Sequence, residues 1–169
     1  MDFFNTRSIT FDNPIEMLYA CHSKVRRFCS QVQMLPGYIA ANGRNDAALQ
    51  AVKQISQYFN TAAPLHHQDE EEEDLFPLLL YHFPHTRSNI EELQRQHESL
   101  HVGWAAVEHE FAGLLTDPAY RLQTDVLQRF STGYDAHLAL EEPLFETGRN
   151  LPAQALVEAG RKMAERRKT

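Results

Sequence analysis

The sequence predicts an all-α fold: an up-down-up-down four-helix bundle with an N-terminal arm and a short C-terminal helix. Apolar residues recur at helical spacing along four long segments. No segment sustains period-two alternation, and the pair Asn42-Gly43 falls between predicted helices, not between apolar strands. The connections between the four segments are short, which makes consecutive helices antiparallel neighbours.

Residues 1–12 read as an irregular arm, with Phe3, Phe4 and Phe11 as anchors to the body or to a partner. Asp12-Asn13-Pro14-Ile15-Glu16 combines a capping side chain, a proline at the first helical position and an acid in the first turn. Ile15, Leu18, Tyr19, His22, Val25 and Cys29 follow at helical spacing, and Pro36-Gly37 is expected to end this first helix. Asn45-Asp46 starts a second helix through Leu49, Val52, Ile55, Tyr58 and Phe59. Pro64 interrupts it, by a kink or a restart, because proline lacks the N–H and clashes with the preceding turn. The helix then runs through an acidic stretch towards Tyr81. Ser88 with Glu91 resembles a capping box for a third helix reaching about Leu115. Asp117-Pro118 is expected to start a fourth, ended by Gly148. Asn150-Leu151-Pro152 opens a short amphipathic fifth segment, and the basic tail from Arg161 to Lys168 reads as solvated.

At 169 residues the chain is most simply one domain, residues 1–169, with a bundle core at about 14–146. The net charge of -7 argues against a general nucleic-acid binder, whose affinity rests on neutralising phosphates. No apolar run approaches the ~20 residues a membrane span needs, and the start lacks a basic region followed by an apolar one. Cys21 and Cys29 lie eight residues apart on the first predicted helix. That is ~12 Å along the axis, beyond the ~7 Å that a disulfide spans. Reduced thiols fit a cytoplasmic protein.

The chemistry concentrates in three units. Leu65-His66-His67-Gln68 precedes a run of carboxylates, Asp69 to Asp74, and then Leu75-Phe76-Pro77. His97-Glu98-Ser99-Leu100-His101 is an i, i+4 histidine pair, and His137 stands four residues before Glu141-Glu142. Residues at i, i+4 share a helix face about 6 Å apart along the axis. His22, His67, Glu71, His97, His101, His137 and Glu141 can thus all point into one bundle core. Five imidazoles and two carboxylates exceed what one metal needs and suit two, with the carboxylates bridging and one position open. By ligand type the metal is Fe, Zn, Mn or Cu, and a bridged pair favours iron.

These pieces, in this order on four predicted helices, resemble the hemerythrin-like HHE cation-binding domain. The resemblance rests on His22, on His67 to Pro77, on His97 with His101, and on His137 to Glu142, and it spans roughly residues 14 to 146. It implies a diiron site in which His97, His101 and His137 hold one iron, His22 and His67 hold the other, and Glu71 and Glu141 bridge. The iron with two histidines would keep the open position, which in the family takes O2, NO or other small anions. His66 with Glu70 repeats the spacing of His67 with Glu71, and His67 is preferred because its distance to Leu75-Phe76-Pro77 fits the family. The fourth-helix unit departs from the pattern: one residue fewer separates its glutamates from Leu144-Phe145, and no proline follows.

Blander readings attach to other residues. Most of the acidic run reads as a solvated face, with Glu71 alone turned inward. Glu72 and Glu142 read as supporting or solvent-facing, His82, His85 and His109 as surface, Trp104 and Tyr134 as core, and Cys21 as a buried small hydrophobe. His97-Glu98-Ser99-Leu100-His101 also matches a short zinc-protease motif, which leaves His22, His67, Glu71, His137 and Glu141 unexplained. A ferritin-like carboxylate bundle needs two Glu-x-x-His motifs, and this chain has Glu98 to His101 alone.

The sequence is therefore expected to encode a non-heme diiron protein that binds O2 or another small ligand for sensing, storage or delivery. Histidine-rich ligation with no obvious acid or base near the open position favours binding over turnover. The alternatives are an NO- or peroxide-handling or iron-centre repair protein of the same fold, and a structural bundle holding Zn or another divalent metal. The Phe-rich arm and the fifth segment offer apolar surface for a homodimer.

Overall fold

A computed structural model describes residues 11–168, except the side chain of Glu71. Phe3, Phe4 and the Glu71 side chain, all singled out by the sequence, therefore lie outside the described residues. The described residues are helical, with no strand among them. No helix among them is long and apolar enough to cross a membrane.

Helix α1 covers Pro14–Asn42, α2 Asp46–Gln57, α3 Ala63–Gln68, α4 Leu75–His82, α5 Arg87–Thr116, α6 Thr124–Gly148 and α7 Ala153–Arg166. π turns at Tyr58–Ala62 and Asp69–Glu73 join α2 to α3 and carry the chain on towards α4, so these pieces form the second rod of the bundle. α1 packs on α2, α6 and α7, and α5 packs on α6.

Several boundaries depart from the sequence expectation. Pro36 does not end α1; the helix passes through it to Asn42, and Gly43, at φ 80°, closes it with its N–H on the Ile39 carbonyl. The buried Val32 and Leu35, with Ile39 packed against the same core, hold the helix across the missing amide. Asn45 does cap α2, its side chain accepting from the Ala48 N–H. α5 begins at Arg87 without a Ser88–Glu91 box; Thr86 instead donates its hydroxyl to the Phe83 carbonyl. Asp117-Pro118 does not start α6. Asp117 accepts from the Ala119 N–H, and buried Glu110 ties down the link by accepting from the Tyr120 hydroxyl at 2.6 Å and the Gln123 N–H at 2.7 Å. α6 then runs through Pro143 to Gly148. The tail is not solvated: α7 continues to Arg166, Met163 is buried, and Arg166 and Arg167 pair with carboxylates of the second rod.

The core falls into two apolar clusters separated by a polar layer. One cluster includes Val25, Ala63, Leu100 and Leu138; the other includes Leu18, Leu75, Leu93 and Leu144. On each rod the chain crosses from one cluster to the other through chemistry-bearing residues. His22 lies between Leu18 and Val25, His66 and Glu70 between Ala63 and Leu75, His97 between Leu93 and Leu100, and Glu141 between Leu138 and Leu144. Placing polar groups in a bundle's interior is costly unless they find partners, so this layer demands an explanation.

Candidate metal centre

α1 contributes His22, α3 His66, the following π turn Glu70, α5 His97, and α6 both His137 and Glu141. All six side chains are buried. Their donor atoms form two groups, His22–His66–Glu70–Glu141 and His97–His137–Glu141, with the atoms of each group within 4.8 Å of one another. Glu141 belongs to both. Its Oε1 lies 2.7 Å from His22 Nε2, and its Oε2 lies 3.5 Å from His137 Nε2 and 4.0 Å from His97 Nε2. Glu70 Oε1 stands 3.5 Å from His22 Nε2 and in direct contact with His66 Nε2.

The ring orientations are set from outside the centre. His22 Nδ1 faces the Glu142 carboxylate at 3.2 Å, which Arg26 holds in turn at 2.5 Å. His137 Nδ1 donates to the Gln96 side-chain oxygen at 3.0 Å, and Gln96 is anchored on Glu92. A carboxylate or amide oxygen on Nδ1 fixes the ring so that Nε2 points inward, the arrangement common to metal-ligating histidines.

The electrostatics point to a missing positive charge. Burial, and then the charge of Glu141, push the Glu70 carboxyl well above the usual carboxylate range. Burial acts on Glu141 in the same direction, but its contacts with His137 and His22 outweigh it and hold Glu141 well below that range. Burial also lowers His66 well below its ordinary value and lowers His97 to about 2, with neighbouring imidazoles adding to the effect. Among the described residues, both Glu70 oxygens, Glu141 Oε2, His137 Nε2 and both His66 ring nitrogens lack a partner in hydrogen-bond geometry. Buried imidazoles and carboxylates with lone pairs turned inward fit divalent cations, which need deprotonated donors.

The placement of the sequence-derived candidates follows from this geometry. His22, His97, His137 and Glu141 meet at the centre. His67 does not join either group: it is half-buried, its Nε2 accepts from the Tyr134 hydroxyl at 3.1 Å, and its ring stacks on His97 at 4.2 Å. Burial drops His67 to about 4 and raises Tyr134, so a neutral ring meets a protonated phenol. His101 is exposed, on the rim of a pocket of about 250 Å³ that is also lined by His67, His97, Trp104 and Tyr134. His66 and Glu70 stand in the buried group. Their signal in the sequence is the duplicated i, i+4 spacing, and the π turn shifts the count to Leu75. His66 is nine residues before Leu75 and His67 eight, and a π turn takes up one residue more than an α turn. The acidic run also differs from a solvated face, since Asp69, Glu70 and Asp74 are buried while Glu72 and Glu73 are exposed. His82, His85 and His109 are exposed.

The model of the hemerythrin HHE cation-binding domain matches residues 13–147. The chain is also 50% identical over 159 residues to an uncharacterized protein of Haemophilus influenzae (strain Rd), a match covering 94% of this chain and 92% of that one. α7 lies beyond the matched domain. This helical bundle, whose buried His and Glu groups could hold metal ions, thus belongs to the hemerythrin HHE cation-binding family.

Proposed function

We propose that this protein holds two iron ions, bridged by Glu141, and reversibly binds O2 or another small ligand such as NO for sensing, storage or delivery. The observation that carries the reading is the split of Glu141, with one carboxylate oxygen facing each histidine group. His22, His66 and Glu70 would hold the first ion with Glu141 Oε1; His97 and His137 would hold the second with Oε2. Iron so held supplies electrons and an open position for a small ligand.

Access favours the second ion. His22, His66 and Glu70 are sealed between the two apolar clusters, whereas His97 lines the pocket that reaches the surface past His101. This is the opposite half from the one the family pattern implied. The pocket walls supply a phenol O–H at Tyr134 and an aromatic wall at Trp104, whose indole N–H is held by the Asn60 side chain at 2.9 Å. Among the described residues, the ionisable neighbours of His97 in that pocket are His67, His101 and the exposed Glu72.

The test is metal analysis with optical spectroscopy on protein purified without oxygen and then exposed to air. About two irons per chain and a near-ultraviolet and visible band that disappears on deoxygenation are expected. A band with NO alone would reassign the ligand, and iron passing to an acceptor would move the role to repair. One zinc per chain, or no metal from iron-replete cells, would overturn the diiron reading.

A further inference from the structure

Four carboxylates are buried around the second rod's acidic run: Asp69, Glu70, Asp74 and, across the centre, Glu141. Glu70 and Glu141 face the metal groups. Asp69 and Asp74 face the other way, onto the end of α7. Arg166 reaches Asp69 through Nη1, and Asp74 through Nη2 at 2.5 Å; Arg167 Nη1 reaches the second oxygen of Asp69. Both arginine side chains are largely covered, at 15% and 23% exposure. One arginine therefore spans the two ends of the π turn, and the other completes the coordination of Asp69.

We propose that Arg166 and Arg167 are positioning residues for the metal centre: they clamp the π turn Asp69–Glu73 so that Glu70 is presented to the buried metal group. The proposal rests on the reading of Glu70 as a metal ligand. A π turn is less regular than the α-helix around it, and this one lies between α3 and an unwound residue, Asp74, at φ -125°. Among the described side chains of the turn, the contacts that set Asp69 come from outside it, from α7. A fixed cation on Asp69 does so, because Glu70 is the next residue and cannot turn outward while Asp69 is held. The charges also separate cleanly. The two guanidinium groups neutralise Asp69 and Asp74, which leaves Glu70 and Glu141 as the carboxylates that need metal cations. α7 is itself secured for this task. Met163 enters the core cluster of Leu18, Leu75, Leu93 and Leu144, and Gly160 lets the Phe11 backbone carbonyl approach so closely that a Cβ would lie 1.9 Å from it.

The test compares wild type with R166M/R167M and R166K/R167K. Removing the cations strands buried Asp69 and Asp74, so D69N/D74N/R166M/R167M serves as a charge-balanced variant should the double methionine form not fold. Two readouts are taken: iron per chain after anaerobic loading, and hydrogen exchange of residues 69–74 in the metal-free protein. The clamp predicts that the methionine variants fall from two irons to about one, with the loss confined to one ion. It also predicts that exchange across 69–74 speeds by about tenfold or more, and that the lysine form recovers most of both. Folded methionine variants that keep two irons and wild-type exchange overturn the proposal, as does equal loss of both ions. If wild type itself holds fewer than two irons, the diiron reading fails, and the exchange rates alone decide for or against the clamp.

Discussion

The adjacent pair His66-His67 gives the sharpest test of the centre, because both rings satisfy the same helical spacing and only one reaches the buried group. His66→Ala removes one of four donors from that group. Loss of an outer-shell partner alone typically weakens metal binding by 10–100-fold, so loss of a direct donor costs about 100-fold or more. At metal concentrations well above Kd, a 100-fold loss of affinity removes about 2.7 kcal/mol of the stabilisation that metal confers. A chain of this size shifts by about 2–4 °C per kcal/mol, so the metal-induced rise in Tm should shrink by about 5–11 °C. The metal-free protein should change much less. Truncating a large buried side chain costs about 2–5 kcal/mol of packing. Against that, the unsatisfied buried Nδ1 of His66 costs about 1–3 kcal/mol in the metal-free state, and its removal offsets part of the lost packing. His67→Ala should leave the metal-induced rise within about 2 °C of wild type, since its Nε2 is turned to Tyr134. The assay is thermal unfolding by circular dichroism, with and without anaerobic Fe(II), alongside metal content. The reverse ranking, with His67→Ala losing the metal-dependent rise and His66→Ala keeping it, would refute the assignment.

Other consequences follow from named contacts. Gln96→Ala removes the oxygen that orients His137 and should weaken metal binding by about 10–100-fold without loss of helicity; calorimetric titration measures it. Cys29 is buried and its thiol is pushed up to about 12 by desolvation. It should therefore resist alkylation at pH 8 in native protein and react on denaturation, which mass spectrometry of iodoacetamide-treated samples would show. Gly160→Ala drives a Cβ into the Phe11 carbonyl and should cost about 1–3 kcal/mol, seen as a lower Tm; an unchanged Tm would mean that α7 does not pack closely on residue 11.

Much of the molecule follows from local rules that the sequence states on its own. Helical periodicity identified four long segments, Asn45 marked a cap, and the spacing His137-x-x-x-Glu141 placed two donors on one face. The donor types alone, imidazole with carboxylate, pointed to divalent metal. Spacing cannot choose between two neighbouring histidines, because His66–Glu70 and His67–Glu71 are equivalent along an ideal helix. That choice belongs to the π turn at Asp69–Glu73, which changes the rotation between the histidines and Leu75. Burial of Asp69 and Asp74 in an acidic run was illegible for a similar reason: their counter-charges, Arg166 and Arg167, lie over ninety residues away. The same holds for α6, which starts at Thr124 because Glu110 on the preceding helix holds the link. Sequence by itself located the helical segments, though not all of their ends, and the chemistry they carry, since both depend mainly on near neighbours. Tertiary structure decided which side chains face the metal centre, since that depends on the sum of helix rotation and on charges brought together from opposite ends of the chain.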